Sequence, residues 1–339
     1  MKAVEIQGSF GIGNLAVAER PDPEPGHGQV VVKVHAASLN YRDLMTVSGF
    51  YNPKQPLPLI PCSDGAGEVL AVGEGVTRVS VGDRVAGSFS QGWIAGKPTP
   101  DKLLTTTLGG PLDGMLAEQV CLHEDGVVHI PGHLSYEEAA TLPCAAVTAW
   151  SALVRHGDVK AGDTVLALGT GGVSIFALQF AKLLGADVII TSSDDGKLAR
   201  AKDLGADFTI NYKTEPAWSK AVRKATGGMG ADHIIEVGGV GTLEESTKCV
   251  AMGGHISLIG VLSGAESPLN LTRALMQDVR IQGVIVGPRE SFEEMNRAIT
   301  QHELRPVVDT VFEMTDSQAA FRHMADGKHF GKIVVKVSA

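Results

Sequence analysis

Apolar and polar positions follow two different patterns along the chain. From about residue 160, apolar runs typical of buried strands are each followed by a glycine-containing turn and an amphipathic helix. The first such unit has its apolar run at 164–168 and its helix at 173–184. Further strands are predicted at 188–191, 208–210, 233–237, 255–259 and 280–286, with helices at 196–204, 216–226 and 242–249. Six strands alternating with helices predict a doubly wound α/β domain with a six-stranded parallel sheet.

The first 145 residues have a different pattern. Short apolar runs at 30–34, 67–72 and 79–85 are separated by Gly, Pro and Asp, which predicts a small, turn-rich β domain. After residue 287, helical patterns at 292–300 and 317–324 precede a last predicted strand at 332–337. The pattern alone leaves open which of the two domains these last elements join.

Length, composition and charge exclude several classes of protein. A chain of 339 residues with 44% hydrophobic and 20% charged residues is about two globular domains. The net charge is −9 and no segment gathers the basic residues, so we expect no nucleic-acid partner. Glu5 stands where a secretion signal would be apolar, and the longest uncharged stretch, 139–154, is too short to span a bilayer. We therefore expect a cytoplasmic protein that acts on a small molecule and has no membrane partner.

Glycine is enriched, at 41 of 339 residues, and one cluster lies directly between the first predicted strand and its helix. This loop is Gly169-Thr170-Gly171-Gly172-Val173-Ser174. Gly169 permits a tight turn, and Gly171 lets backbone N–H groups approach a pyrophosphate at the start of the helix. An ordinary glycine-rich turn is the alternative, but the position between strand and helix favours a dinucleotide site.

The end of the second predicted strand bears on the choice of cofactor. Enzymes that use NAD usually place an acid there, which accepts hydrogen bonds from the ribose hydroxyls. This chain has Ser192, whose hydroxyl can donate to a 2′-phosphate, and Lys197 lies five residues further on. The sequence therefore predicts NADPH, with Asp194 or Asp195 as the acid that would favour NAD instead.

Several motifs resemble those of the medium-chain dehydrogenase/reductase superfamily, over nearly the whole chain. Gly67-Glu68-Val69 and Gly82-Asp83-Arg84-Val85 resemble its GroES-like β-barrel, and the glycine loop resembles its cofactor loop. The closing Phe330-Gly331-Lys332-Ile333-Val334 resembles the last strand of its zinc-independent quinone and enoyl reductase branch. The resemblance implies a GroES-like catalytic domain at 1–146, a Rossmann domain at 147–287, and a segment at 288–339 that returns to the catalytic domain. It also implies a homodimer, with the edge strand at 280–286 as a candidate contact.

The resemblance also bears on metal binding. Zinc-dependent members carry a Cys, a His and a second Cys at the positions that correspond here to Asn40, Ser63 and Cys144, so one ligand of three is retained. The region 91–111, which corresponds to the superfamily's structural zinc lobe, contains no cysteine. We therefore expect no metal site and no zinc, with Cys144 as a small buried residue.

Without a metal, hydrogen-bond donors must stabilise the negative charge that hydride transfer places on the acceptor oxygen. In quinone and enoyl reductases of the superfamily, an Asn is followed eleven residues later by a Tyr in a Gly-x-Tyr context. Here Asn40 is followed by Gly49-Phe50-Tyr51. The resemblance thus implies Tyr51 as a hydrogen-bond or proton donor, Asn40 as an orienting residue and Ser63 as a further donor. A packing role for Tyr51 stays open, and Met45 replaces a second family tyrosine.

The resemblance further implies a set of contacts to the cofactor. Beyond Gly169, Gly171, Ser192 and Lys197, these are Thr148, Gly172, Val173, Tyr212, Gly238, Val261, Val286, Arg289 and Lys332. The function it implies is an NADPH-dependent, zinc-independent oxidoreductase that reduces a quinone, an enone or an enoyl thioester. A zinc-free alcohol dehydrogenase and a non-catalytic NADPH-binding protein are the two alternatives.

Overall fold

The computed structural model describes residues 1–266 and 269–338. The strands in these ranges are β1 Lys2–Ile6, β2 Leu15–Glu19, β3 Gln29–Ser38, β4 Asp64–Val72, β5 Arg84–Gly87, β6 Gln119–His123, β7 Val127–His129, β8 Thr164–Leu168, β9 Asp187–Ser192, β10 Phe208–Asn211, β11 Ala231–Glu236, β12 Val250–Leu258, β13 Arg280–Gly283, β14 Val308–Glu313 and β15 Lys332–Lys336. The helices are α1 Tyr41–Val47, α2 Pro100–Leu104, α3 Tyr136–Ala139, α4 Val147–Trp150, α5 Gly172–Leu183, α6 Asp195–Asp203, α7 Trp218–Ala225, α8 Leu243–Cys249, α9 Leu271–Met276, α10 Arg289–Gln301 and α11 Ser317–Ala325. None of these described helices is long and apolar enough to cross a bilayer.

The chain divides into two compact units. The first consists of Met1–Val147 together with Gly287–Ala339, and the second of Thr148–Val286. The domain boundaries expected from the sequence were 146/147 and 287/288.

The second unit is built on one six-stranded sheet in the order β10-β9-β8-β11-β12-β13, and every strand pair in it is parallel. The chain starts at the centre with β8, moves outward through β9 and β10, and then crosses to β11 on the other side. The prediction of a doubly wound six-stranded parallel sheet is therefore confirmed. In such sheets ligands bind outside the carboxyl ends of the strands, at the point where the order reverses.

Apolar side chains explain why these segments form a sheet covered by helices. Leu166, Ile189, Ile234 and Ile256 come from four neighbouring strands and are all fully buried in one core cluster. Each such side chain contributes roughly 1.5–3 kcal/mol when it leaves water. Phe180 of α5 is fully buried as well, so the amphipathic face of this helix is covered.

The first unit contains a seven-stranded sheet in the order β14-β15-β3-β4-β5-β7, with β6 also pairing with β3. The last strand, β15, is antiparallel to β3, with Val334 opposite Ser38. The N–H of Leu39 also donates to the carbonyl of Ile333 at 3.0 Å. The segment after residue 287 therefore completes the sheet formed by the N-terminal residues.

Two predicted strands were wrong in part. The predicted strand at 79–85 begins only at Arg84, because Ser80 to Asp83 form a turn in which Gly82 has φ of 92°. The N–H of Ser80 donates to the Asp83 carboxylate, which closes that turn. The predicted strand at 280–286 ends at Gly283, and Val286 has φ of 49°, a conformation that is strained for a β-branched residue.

Two buried histidines lie side by side on neighbouring strands of the second unit. His233 of β11 is opposite His255 of β12, and their ring centroids are 6.1 Å apart. His233 is 3.1 Å from the Asp163 carboxylate, whereas neither ring nitrogen of His255 has a hydrogen-bond partner within the described ranges. Burial lowers the pKa of His255 from 6.5 to about 4, and the positive charge of Arg280 acts in the same direction. His255 is therefore neutral in the folded protein at neutral pH.

This pKa predicts a loss of stability in mild acid. The unfolded chain accepts a proton on this side chain near pH 6.5 and the folded chain only near pH 4, so the free energy of unfolding falls as the pH falls through this window. Between pH 7 and pH 5 we expect His255 to account for a loss of about 2 kcal/mol. Urea unfolding of the wild type and of His255→Leu at both pH values measures the difference. Equal losses in the two proteins would show that His255 is not responsible.

Candidate active site

A buried polar cluster lies in the first unit, where β3 leads into α1 and where β4 begins. Asn40 is the N-cap residue of α1, and its backbone N–H donates to the Asp43 carboxylate at 2.8 Å. Ser63 and Asp64 stand at the start of β4, directly after Cys62, which has φ of 72°. Asn40 is 8% exposed, whereas Asp43, Ser63 and Asp64 are fully buried. Backbone strain next to buried polar groups is typical of functional sites.

Lys332, the first residue of β15, brings a cation into this cluster. Its side chain is only 3% exposed, although lysine is almost never fully buried without a partner. Its Nζ donates to the carbonyl of Leu39 at 2.6 Å and to Oδ1 of Asn40 at 2.5 Å. The pairing of β15 with β3 thus places an ammonium group directly against the Asn40 amide.

The cluster continues from Asn40 through three further groups. Nδ2 of Asn40 donates to Oγ of Ser63 over 3.4 Å, and this hydroxyl donates to Oδ1 of Asp64 at 2.7 Å. Oδ2 of Asp64 accepts the backbone N–H of Cys144 at 3.0 Å, and Cys144 lies in the π-helical turn Leu142–Ala146. Both bonds hold the Ser63 hydroxyl inside the cluster. In this structure the hydroxyl therefore contacts Asn40 and Asp64, and it is not directed towards a ligand.

The charges in the cluster influence one another. Burial raises the pKa of Asp64 from 3.8 to about 6, against the opposing effect of the Lys332 ammonium. Burial also raises the pKa of Asp43, which the Arg42 guanidinium at 3.5 Å opposes. A buried carboxyl group that can exchange a proton near neutral pH is a candidate for a functional role.

Asn40, Ser63 and Cys144, which by the resemblance correspond to zinc ligands, all contribute a hydrogen bond to this cluster, but their chemistry does not fit a zinc site. An amide, a hydroxyl and one thiol replace the usual sulfur and nitrogen set. Burial raises the pKa of the Cys144 thiol, which disfavours the thiolate that would bind a metal. Across residues 1–266 and 269–338, no group of three or more His, Cys, Asp or Glu side chains is arranged to hold a metal ion.

Tyr51 lies outside the buried cluster. Its side chain is 52% exposed, and its ring stands over the Arg42 guanidinium at 4.9 Å. Arg42 donates to the carbonyls of Leu108 and Gly110, so it is anchored to the loop at 108–110. The phenol of Tyr51 is thus available to a ligand, while its ring has a packing contact.

The glycine loop of the second unit has the space that a dinucleotide needs. Gly169 has φ of 74°, and its N–H donates to the Thr191 hydroxyl at the end of β9. A Cβ built on Gly169 or on Gly171 would meet no atom within 4 Å, so both backbones face open space. Gly171 is the N-cap of the 12-residue helix α5 and has no side chain to cap it, so the positive end of the helix is left for an anion. These residues fit a bound pyrophosphate.

The end of β9 carries the residues predicted to bind the adenosine part. Ser192 is 4% exposed, and its Oγ accepts the N–H of Asp194 at 3.3 Å. The Asp194 carboxylate caps α6 by accepting the N–H of Lys197, and Asp195 accepts a hydrogen bond from Asn211. Both acids that would favour NAD therefore already have local partners. Tyr212 also lies here, with its N–H donating to the carbonyl of Ser192.

Glu236, the last residue of β11, is a buried acid that the sequence pattern did not identify. Its fully buried carboxylate accepts the N–H of Gly238 at 2.8 Å and the hydroxyls of Thr242 and Ser246, both at 2.5 Å. Ser263 donates to the carbonyl of Gly238, which ties the loop after β12, where Val261 lies, to the loop after β11. An acid at the end of an otherwise apolar strand was the signal that could have revealed Glu236.

The remaining predicted cofactor contacts fall in different places. Thr148 is buried in α4, and Val286 ends the second unit. Arg289 and Lys332 belong to the first unit, where both cationic groups have protein partners: Arg289 forms an ion pair with Asp125 at 2.8 Å. Contacts from either residue to a cofactor phosphate stay predictions.

Comparisons with known proteins cover both units. The family model for an alcohol dehydrogenase GroES-like domain matches residues 26–132, and the one for a zinc-binding dehydrogenase matches residues 172–301. A zinc-type alcohol dehydrogenase-like protein of Schizosaccharomyces pombe is 45% identical over 91% of both chains. The acryloyl-coenzyme A reductase of Metallosphaera sedula is 31% identical over 99% of both. A crystal structure of an NAD-dependent alcohol dehydrogenase, 37% identical, covers both chains entirely with a TM-score of 0.92.

Proposed function

Because the chain belongs to the medium-chain dehydrogenase/reductase superfamily and is an oxidoreductase of that superfamily, we propose that it transfers hydride from NADPH to an activated carbonyl compound without zinc. The acceptor class is a quinone, an enone or an enoyl thioester. The observation that carries the proposal is the buried chain of hydrogen bonds from Lys332 through Asn40 and Ser63 to Asp64, which includes two of the three positions that, by the resemblance, correspond to zinc ligands. The acryloyl-coenzyme A reductase among the relatives is consistent with an enoyl acceptor.

In this proposal the protein residues provide what zinc would otherwise provide. NADPH supplies the hydride when bound. Asn40 is the most exposed polar member of the buried cluster, and one of its two Nδ2 hydrogens is directed to Ser63. The Nδ2 group, which also interacts with the Asp64 carboxyl group, is the proposed donor to the acceptor oxygen, where negative charge develops as the hydride arrives. Tyr51, on the exposed loop, is the proposed proton donor to that oxygen or to the neighbouring carbon.

We propose NADPH rather than NADH as the cofactor. This preference is supported by the Ser192 hydroxyl at the carboxyl end of β9 and by the local partners of Asp194 and Asp195. One relative of similar fold is named as NAD-dependent, so the two cofactors have to be compared directly in this chain.

A panel of acceptors tests the proposed reaction. Oxidation of NADPH, followed at 340 nm with a quinone, an enone, an enoyl thioester and an aldehyde, should show turnover with at least one of the first three. Turnover with aldehydes alone would support a zinc-free alcohol dehydrogenase. Tight NADPH binding without turnover on any acceptor would support a non-catalytic binding protein.

Tyr51→Phe is expected to lower kcat at least about tenfold, because it removes the proposed proton donor. The phenylalanine ring retains the contact with Arg42, so the loop should stay in place. Steady-state kinetics with the best acceptor of the panel measures the effect. Tyr136→Phe is the control, because that ring stacks on His35 at 4.3 Å and has no proposed role in catalysis. An unchanged kcat in Tyr51→Phe would leave Tyr51 with a packing role only.

We further propose that the enzyme works as a cytoplasmic homodimer. The helix α9, which precedes the edge strand β13 along the chain, exposes Leu271, Leu275 and Met276, each by 70% or more. Sedimentation velocity should give twice the 35.5 kDa of the chain, and Leu275→Glu should shift the protein towards the monomer. A monomeric wild type would contradict this proposal.

A further inference from the structure

Resting on the proposed function, we propose that Lys332 is a positioning residue for Asn40: its buried ammonium fixes the Asn40 amide and strengthens that amide as a hydrogen-bond donor. Lys332 would thereby supply the fixed positive charge at the site that lacks the zinc ligands. This assignment differs from the cofactor-phosphate contact that the sequence implied for the same residue.

The contacts of Lys332 fix the orientation of the amide. A lysine ammonium has only donors, so the amide atom facing it at 2.5 Å must be oxygen. The NH2 group of Asn40 must then point away from Lys332, where one hydrogen meets Ser63. Because the Ser63 hydroxyl donates onward to Asp64, it accepts from Asn40, and both ends of the amide are fixed.

The burial of Lys332 argues that its charge matters. Both hydrogen-bond acceptors of its Nζ are neutral oxygens, the Leu39 carbonyl and the Asn40 amide, and the side chain is 3% exposed. Taking an ammonium out of water is costly, and an apolar residue of similar volume is often at least as stabilising. The ammonium also favours the ionised form of the buried Asp64 carboxyl group, so its charge acts on two neighbours in the cluster. A cation on the amide oxygen draws electron density from the N–H groups and makes them better donors.

The exposed fractions of the cluster residues indicate which of them can contact a ligand. Within the cluster, Asp43, Ser63 and Asp64 are fully buried and Lys332 nearly so, whereas Asn40 keeps 8% of its surface exposed. Lys332 would thus act through Asn40 and not by direct contact with the acceptor.

The experiment compares Lys332→Met with Lys336→Met, a matched control on the same strand β15. We expect Lys332→Met to lower kcat about tenfold to a hundredfold and to change the dissociation constant of NADPH less than about twofold. The control should change neither. Asn40→Ala combined with Lys332→Met should be no slower than Asn40→Ala alone, because the two residues act as one unit. If Lys332→Met does not fold, Lys332→Gln, which can still donate to an oxygen but carries no charge, takes its place.

A second readout is independent of turnover. In protein labelled with ¹⁵N-asparagine, the Nδ2 resonances of Asn40 should shift in Lys332→Met and not in Lys336→Met. An inactive wild type would overturn the proposed function and leave this test of the positioning role intact. The role of Lys332 would be overturned if kcat of Lys332→Met stayed within twofold of the wild type, or if the Asn40 signal did not shift. It would also be overturned if the double variant lost kcat by the product of the two single losses. Weaker NADPH binding with an unchanged kcat would establish the phosphate contact instead.

Discussion

Replacing Asn40 by Asp is expected to lower kcat about a hundredfold to a thousandfold, the usual cost of losing one donor to a developing oxyanion. Aspartate keeps an oxygen for Lys332 and an acceptor at the N-cap of α1, but it has no N–H group to offer to the acceptor. Asn40→Ala should show a similar loss of kcat. It should also lower the free energy of unfolding by about 1 kcal/mol, because alanine is a poor N-cap.

Steady-state kinetics with NADPH and the best acceptor measures the effect of Asn40→Asp. Asn52→Ala is the control: Asn52 lies on the exposed loop next to Tyr51, where its side chain only accepts the N–H of Lys54. We expect less than about a twofold change in that variant. If Asn40→Asp retained wild-type turnover, Asn40 would not be the donor that replaces the metal.

Replacing Ser192 by Asp is expected to lower kcat/KM for NADPH at least about a hundredfold and to raise it for NADH. A carboxylate at the end of β9 would repel the 2′-phosphate of NADPH and accept hydrogen bonds from the ribose hydroxyls of NADH. Ser192 is buried and follows Thr191, whose hydroxyl accepts the N–H of Gly169 in the glycine loop, so the new charge would lie at the proposed cofactor site.

The ratio of kcat/KM for the two cofactors checks this prediction. Met252→Asp is the control, because it adds the same charge at an exposed position in the first half of β12, the end opposite the cofactor loops. Its ratio should match that of the wild type. A wild type that already prefers NADH would contradict the proposed use of NADPH.

The fold of the second unit could be predicted well because the sequence patterns of its strands, turns and helices each lie within a short stretch of the chain. The run at 164–168, the glycine loop and the helix beginning at Gly172 are consecutive, and each needs only its own neighbours to be recognised. The predictions failed where single backbone angles decide the outcome. Gly82 turns the chain before β5, and the positive φ of Val286 follows a strand that ends at Gly283.

The candidate active site was predictable only in part. The resemblance pointed to Asn40 and Ser63, and it marked the missing zinc ligands. It could not show that Lys332 meets Asn40, since 292 residues separate them and only the pairing of β15 with β3 brings them together. The raised pKa of Asp64 likewise follows from its complete burial, which its place in Cys62-Ser63-Asp64-Gly65 does not reveal.

Transfer of deuterium from NADPH dideuterated at C4 to an enone, measured with zinc removed from the protein by a chelator, distinguishes hydride transfer without zinc from a zinc-dependent reaction. We expect a product that carries one deuterium on carbon, formed at the same rate as before chelation, with the proton on the other atom drawn from the solvent. A product without deuterium, or activity that disappears with the chelated zinc, would contradict it.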